Sequence, residues 1–310
     1  MPRLRTAVTA TAVATVTAAL AALTSCATEA SQPAAGTGPT GPARELTRTE
    51  QNRVDRAEQR LIQRCMKDKG FRYWVAPTLS PDTARAFTHR FVQDDVAWAR
   101  AHGYGERLQR AFLAAKKRDP NLAYRKALTP AARERYVTAL GGGPDTPVYS
   151  VRLPTGASVR SMDGGCERSA RQELYGDAKA FFRADKVATN LTPVYTPKLI
   201  RDPLFTTALK AWSTCMRTAT GHGYADPEAV RADLRRRSEH LGPAQAHALE
   251  VKLAVAEATC ARRTSLRATL RRLDRRYGDP VRDRYAEEIA TSNRMKRAAL
   301  RRADQIDHRT

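Results

Sequence analysis

The sequence predicts a mainly α-helical protein made of two divergent repeat units, and three observations support this fold class. Apolar residues recur at helical spacing through most of the chain after residue 46. The stretch RCMKDKGFRYWVAP at 64–77 is echoed by TCMRTATGHGYADP at 214–227. Each copy is followed by an L-x-P-A helix start and then by a further cysteine on a basic helix. We therefore expect each unit to be cross-linked by its own disulfide, with one β-hairpin inserted in the first unit.

The N-terminus has the order of a secretory signal. Arg3 and Arg5 precede an uncharged Ala/Thr/Val run that ends in LTSC at 23–26. This tetrapeptide resembles the lipobox of bacterial lipoproteins, in which the cysteine carries the lipid. We interpret residues 1–25 as a signal peptide and Cys26 as the lipidation site that attaches the protein to the membrane. The alternative is an ordinary signal peptide with an incidental cysteine. Residues 26–45, rich in Ala, Gly, Pro, Ser and Thr, are predicted to form a flexible linker.

Four of the five cysteines remain if Cys26 is lipidated. An even number of cysteines in an exported chain is typical of disulfides, and four cysteines permit three pairings. The repeat favours Cys65 with Cys166 and Cys215 with Cys260, because one later cysteine follows each Cys-Met. The sequence has no C-x-x-C motif and no histidine near these cysteines, which argues against structural zinc. We expect no metal and no cofactor.

The first helical unit is assigned to residues 46–189. Thr47 and Glu50 form a capping-box pattern before a helix that is expected to end near Gly70. Ser80 and Pro81 begin a second helix, and further helices are predicted within 106–119, 130–143 and 166–188. Alternating residues around a Pro-Thr-Gly turn predict a hairpin with strands at about 148–153 and 157–162.

The second helical unit is assigned to residues 190–310. The segment TNLTPVYTPKLIRDP at 189–203 contains three prolines, and we expect it to be a non-helical boundary between the units. Asp202-Pro203 and Asp226-Pro227 each predict a helix start. One long helix is then predicted from Pro243 to about Tyr277, with a break at Gly-Asp-Pro and a last helix from Val281 to about Ala303.

This pattern resembles a group of uncharacterised secreted proteins and lipoproteins of actinomycete-type bacteria. The resemblance covers most of the chain after residue 46. It depends on a W-x-x-C-M helix end with a later Gly, Tyr and Cys, here Trp212, Cys215, Met216, Gly221, Tyr224 and Cys260. The first unit departs from the pattern because Ile62 stands where the Trp would be. The resemblance implies a fold and a location outside the cytoplasm, but no activity.

The strongest surface feature of the sequence is its basic C-terminal part. The whole chain has a formal charge of +22, which makes anionic surfaces natural partners. Arg263, Arg267, Arg271 and Arg275 recur every four residues and are predicted to form one helical stripe that docks on anionic lipid or wall polymer. Leu266, Leu270, Leu273 and Tyr277 form the opposing, core-facing stripe. The alternative is a solvated face with an arginine surplus of compositional origin.

The sequence therefore predicts a cell-envelope lipoprotein that binds or scaffolds an envelope protein or an anionic polymer without catalysis. The alternative is a wall-acting hydrolase with a site between the two halves. No G-x-S-x-G motif is present, and His240 and His247 are interpreted as surface histidines. The adjacent pairs at 94–95 and 287–288 would point about 100° apart on a helix, so neither forms an acid/base pair alone. Nucleic acid is not an expected partner, because the chain is predicted to be exported and few aromatic residues lie among the arginines.

Overall fold

The computed structural model describes residues 44–88 and 91–307, and over these residues the chain is mainly helical, as predicted. The predictions for residues 1–43, including the lipidation of Cys26, lie outside the described residues. The helices are α1 (Arg48–Asp68), α2 (Pro81–Phe87), α3 (Val96–His102), α4 (Glu106–Lys117), α5 (Pro120–Ala127), α6 (Pro130–Gly141), α7 (Gly165–Tyr175), α8 (Ala178–Ala188), α9 (Thr192–Arg201), α10 (Pro203–Thr220), α11 (Pro227–Ser238), α12 (Pro243–Arg263), α13 (Leu266–Arg284) and α14 (Ala286–Asp307).

The predicted hairpin is present between α6 and α7. Strands β1 (Val148–Arg152) and β2 (Ser158–Met162) pair antiparallel, with Val151 opposite Val159. Gly156 has a φ of +92° in the connecting turn, a conformation that glycine adopts without steric cost. The hairpin rests on α8 through the rings of Tyr149 and Phe182, whose centroids are 5.0 Å apart.

The predicted helix starts are confirmed by their capping contacts. Thr47 and Glu50 form a reciprocal capping box at α1. The Ser80 hydroxyl accepts a hydrogen bond from the Thr83 N–H at α2, and the Asp202 carboxylate accepts one from the Leu204 N–H at α10. Asp226 caps α11 in the same way through the N–H of Ala229. These side chains satisfy N–H groups that have no partner within their own helix.

The proline-rich segment before residue 203 is helical, so the prediction of a non-helical boundary there is wrong. It forms α9, with Pro193 in the first turn, where a missing N–H removes no intrahelical bond. Pro197 removes one bond from the interior of α9. The helix is retained because Tyr195 and Leu199 are buried in the core beside α13. Tertiary packing here outweighs the local cost of proline.

The predicted long helix from Pro243 to Tyr277 is also wrong, because α12 ends at Arg263 and α13 begins at Leu266. Thr264 has extended backbone angles, and both its N–H and its hydroxyl donate to the Cys260 carbonyl, at 2.9 and 2.7 Å. This side-chain bond competes with helix continuation. The predicted break at Gly-Asp-Pro does not occur: Pro280 lies inside α13, which runs on to Arg284.

The buried apolar residues form two main clusters, each containing one disulfide. The Cys65 cluster contains buried residues of α1, α6, α7 and α14: Val54, Ala57, Leu61, Ile62, Met66, Tyr136, Cys166, Ala170, Leu174, Tyr175, Ala299 and Ala303. The Cys215 cluster is formed mainly by α9–α13, with Trp212, Met216, Leu253 and Leu273 among its buried residues. Disulfides join Cys65 to Cys166 and Cys215 to Cys260, which confirms the predicted pairing.

The described residues 44–88 and 91–307 belong to one compact unit, and two helices pack across the predicted division at residue 190. Helix α14 packs on α1, α7 and α8, so the end of the chain contributes Ala299 and Ala303 to the Cys65 cluster. In the opposite direction, α3 packs on α12. The Cys65 cluster is therefore completed by a helix from the other half of the sequence, whereas α3 forms a small separate cluster with α12 through Ala99, Ala254 and Ala258.

Candidate anion-binding site

The arginines of the predicted stripe are divided between two helices. Arg263 is the last residue of α12, whereas Arg267, Arg271 and Arg275 lie on α13. Because the backbone is extended at Thr264, Arg263 leaves the stripe and lines a shallow cavity beside the Cys215–Cys260 disulfide. The opposing apolar stripe is confirmed: Leu266 and Leu273 are fully buried, and Leu270 and Tyr277 pack against the Cys215 cluster.

Two arginines of the stripe line a concave surface that we call the arginine cavity. It has a volume of about 370 Å³ and is lined by Arg85, Asp94, Asp95, Arg262, Arg267 and Arg271. Arg85 comes from α2, the two aspartates from the loop before α3, and the other arginines from the end of α12 and the first turns of α13. Three segments that are distant in sequence therefore bring four guanidinium groups to one place.

The charges of the arginine cavity are only partly balanced. Arg85 Nη1 lies 3.0 Å from Asp95 Oδ2, and Arg267 Nε lies 3.0 Å from Asp94 Oδ2. The N–H of Trp98 also donates to Asp95, which holds the pKa of that carboxyl below its usual value. Within the described part of the chain, Arg262 and Arg271 lie within ion-pair distance of no carboxylate. The cavity therefore carries an excess of two positive charges.

A second cavity shares Arg85 with the first, and we call it the aromatic cavity. It has a volume of about 280 Å³ and is lined by Arg85, Ala86, Phe87, Thr88, Gln93, Trp98, Tyr104, Glu106, Gln109, Arg231 and Arg235. The Arg85 guanidinium lies 4.7 Å from the centre of the Trp98 ring, and that of Arg231 lies 5.1 Å from the Tyr104 ring. Stacking of this kind holds both guanidinium groups in place at the cavity wall.

Glu257, on α12 behind the aromatic cavity, is a completely buried carboxylate. Its Oε1 accepts a hydrogen bond from the N–H of Gln93 at 2.6 Å, and its Oε2 accepts one from the Tyr104 hydroxyl at 2.6 Å. Arg231 Nη2 lies 3.4 Å from Oε1. Burial nevertheless outweighs these partners and raises the pKa of Glu257 to about 7.

Glu250 holds the same segment of chain two turns earlier on α12. Its Oε1 accepts hydrogen bonds from the N–H groups of Tyr104 and Glu106, at 2.9 and 3.0 Å, and its Oε2 lies 3.2 Å from Nδ1 of His247. Gly103 has a φ of +62°, and a Cβ there would lie 2.6 Å from Cγ of Glu250. Glu250 and Glu257 therefore fasten the segment 93–106 to α12, and neither lines the two cavities.

His247, interpreted from sequence as a surface histidine, is partly buried and bonded to Glu250. No group of three or more His, Cys, Asp or Glu residues is arranged to hold a metal ion in the described ranges 44–88 and 91–307. Over the same ranges no helix combines the length and the apolar character needed to cross a membrane.

Sequence reasoning missed Arg85, Arg262, Glu250 and Glu257. A signal for the two acids was available, because they are seven residues apart on the face of α12 that also carries Leu253 and Ala254, both buried. A carboxylate at a core-facing position predicts a buried partner. No such signal exists for Arg85, because its place beside Arg267 and Arg271 depends on how α2 packs.

Comparisons with known proteins give no match that bears on the fold or the function. No protein-family profile matches the chain. Searches of curated proteins and of solved structures likewise find no match.

Proposed function

We propose that the chain is a lipid-anchored protein of the cell envelope that binds an anionic polymer through the arginine cavity and does not catalyse a reaction. The observation that carries this proposal is the charge excess of the cavity, where Arg262 and Arg271 have no carboxylate partner among the residues that the structure describes. Guanidinium groups in a concave site are suited to phosphate or carboxylate groups, because each can donate two parallel hydrogen bonds.

The location outside the cytoplasm is supported by the disulfides and by the predicted signal. Both cysteine pairs are joined, with Cα–Cα distances of 5.6 and 5.7 Å. Such bonds persist in oxidising compartments and are rare in a reducing cytoplasm. Lipidation of Cys26 would hold the folded part close to the membrane surface.

The hydrolase alternative gains no support from the described residues. Asp94 and Asp95 in the arginine cavity are ion-paired, and Glu106 in the aromatic cavity lies 3.1 Å from Arg110. Glu250 and Glu257, which are more deeply buried, are occupied by main-chain N–H groups and do not face a cavity.

The test measures the salt concentration at which the full chain, purified under oxidising conditions, elutes from immobilised heparin. The double substitution Arg262→Ala with Arg271→Ala should lower that concentration, since each lost contact reduces counterion release. The matched control is Arg56→Ala with Arg301→Ala, which removes two exposed arginines beside the Cys65 cluster. Equal shifts for both pairs would mean that only net charge matters and would contradict the proposal.

The location is tested separately by mass spectrometry of the protein taken from its native membrane fraction. A mature N-terminus at Cys26 that carries lipid is expected. An intact Met1 together with free thiols would contradict both the anchor and the compartment.

A further inference from the structure

The arginine cavity and the aromatic cavity have a common wall residue. Arg85 lines both cavities, so a ligand that fills the two cavities contacts the Arg85 side chain in each of them. The guanidinium of Arg85 is held by Asp95 at 3.0 Å and by the Trp98 ring at 4.7 Å. Among the described residues, neither the buried Nε of Arg85 nor the buried Nε1 of Trp98 has a hydrogen-bond partner.

Together the two cavities are lined by six arginines and three acidic residues, with no lysine. The aromatic cavity has its own cationic groups in Arg231 and Arg235, one turn apart on α11. Arg235 lies 3.1 Å from Glu228 in an exposed ion pair that contributes little in water. Each cavity therefore offers a separate cationic site.

The size of the cavities restricts the ligand. Volumes of about 280 and 370 Å³ are at the lower end of the range for small-molecule sites, so each accommodates a small anionic group rather than a large ligand. A ligand that uses both must carry at least two anionic groups. Joining two such groups in one chain makes the second contact intramolecular and raises affinity without any new interaction.

We propose that the two cavities are adjoining subsites for two phosphate groups of one linear phosphate polymer, with Arg85 lining both. This inference rests on the proposed function, because it assigns a ligand class to the same site. Phosphate is favoured because all the cationic groups that line both cavities in the described part of the chain are guanidinium groups, whose fork matches phosphate oxygens bidentately.

The test is calorimetric titration of the full oxidised chain with orthophosphate, tripolyphosphate and long-chain polyphosphate. Arg262→Ala removes a cation from the arginine cavity, and Arg235→Ala removes one from the aromatic cavity. Both side chains are exposed, so folding should be unchanged, and melting curves check this. Arg56→Ala is the control of equal charge.

Long polyphosphate should bind more tightly per phosphate than orthophosphate. Arg262→Ala and Arg235→Ala should each weaken polyphosphate binding by about tenfold and lower the slope of log affinity against log salt by about 1. Arg56→Ala should leave both quantities unchanged. The variant that combines Arg262→Ala with Arg235→Ala should lose the advantage of the long chain, because both subsites are then weakened.

Several outcomes would overturn the inference. Affinity that does not depend on chain length, or a polyphosphate affinity unaffected by Arg235→Ala, would leave a single subsite. Tighter binding of single-stranded DNA than of polyphosphate at equal charge would assign the site to nucleic acid. If heparin and polyphosphate both fail to bind, the proposed function itself fails, which is distinct from the loss of the length effect alone.

Discussion

The two Cys-Met helices, α1 and α10, have similar ends but are buried by different neighbours. Met66 and Met216 are both completely buried, and Gly70 and Gly221 follow with φ values of +79° and +76°. Helix α1 packs mainly on α7 and α14, whereas α10 packs mainly on α12 and α13. The repeat therefore preserves the helix end that carries the disulfide, while the surroundings of the helix have diverged.

The position three residues before the cysteine shows how a core can compensate for this divergence. It is Trp212 in α10 and Ile62 in α1, and both are buried. In the Cys65 cluster, aromatic volume is supplied from other elements, through an edge-to-face contact between Phe71 and Tyr136 with centroids 5.4 Å apart. A core needs the volume to be filled but does not require one helix to supply it.

The largest difference should appear when each disulfide is removed. Cys65→Ala with Cys166→Ala should lower the free energy of unfolding by about 4.7 kcal/mol, and Cys215→Ala with Cys260→Ala by about 4.0 kcal/mol. The closed loops span 101 and 45 residues, and the longer loop restricts the unfolded chain more. Urea unfolding followed by circular dichroism measures both losses. A larger loss for the shorter loop would show that native contacts, rather than loop closure, set the order.

Trp212→Ala should destabilise the protein by about 4 kcal/mol, and Ile62→Ala by about 3 kcal/mol, because a larger cavity remains in the Cys215 cluster. The same unfolding experiment measures both. Ile62→Val is the conservative control and should cost about 1 kcal/mol. A greater loss of stability for Ile62→Ala than for Trp212→Ala would contradict this prediction. It would mean that the aromatic residues of the Cys65 cluster do not fill the volume that Trp212 fills in the Cys215 cluster.

The contact between α12 and the segment 93–106 should make stability depend on pH. The pKa of Glu257 is raised from 4.5 to about 7 by burial, so the folded state binds the proton more tightly than the unfolded state. The stabilisation is complete below pH 4.5 and is lost as the pH rises through 7, a change of about 3 kcal/mol. Unfolding measured from pH 4 to 8 tests this.

Glu257→Gln is the matched variant for that experiment, because the amide keeps an acceptor for the Gln93 N–H and carries no charge. Its stability should not fall between pH 4.5 and 7 as that of the parent does. A parallel fall in both proteins would assign the pH dependence to another group.

The smallest difference concerns the caps of the two Cys-Met helices. Thr47→Ala at α1 should cost about 1 kcal/mol, since the threonine is exposed. Asp202→Ala at α10 should cost about 2 kcal/mol. Asp202 is buried and also accepts hydrogen bonds from the Tyr277 hydroxyl at 2.8 Å and from Arg276 at 3.3 Å. Thermal unfolding ranks the two, and Asp202→Asn, which keeps the cap, should recover most of the loss.

Local chemistry explains which predictions are confirmed. The caps at Thr47, Ser80 and Asp202 involve residues within three positions of one another, and the hairpin pairs strands joined by a short turn. Such contacts are encoded within a few residues, so spacing alone reveals them. The disulfide pairing could be predicted because the repeat relates cysteines that are far apart in sequence. The errors at α9 and at Thr264 arose where core packing or a single side-chain bond overrode helix propensity.

By itself the sequence determined the helical class, the capped starts of α1, α2, α10 and α11, and the apolar stripe of α13, and it favoured the observed disulfide pairing among three. Tertiary structure alone decided that α14 completes the Cys65 cluster, that α3 is fastened to α12 by Glu250 and Glu257, and that Arg85 joins Arg262, Arg267 and Arg271. The reason is physical: helix periodicity and capping depend on neighbours along the chain, whereas a cavity depends on which helices bury their apolar faces together. Judged by sequence alone, many pairs of helices have apolar faces that could pack together. Only close packing in the folded core decides which pairs do.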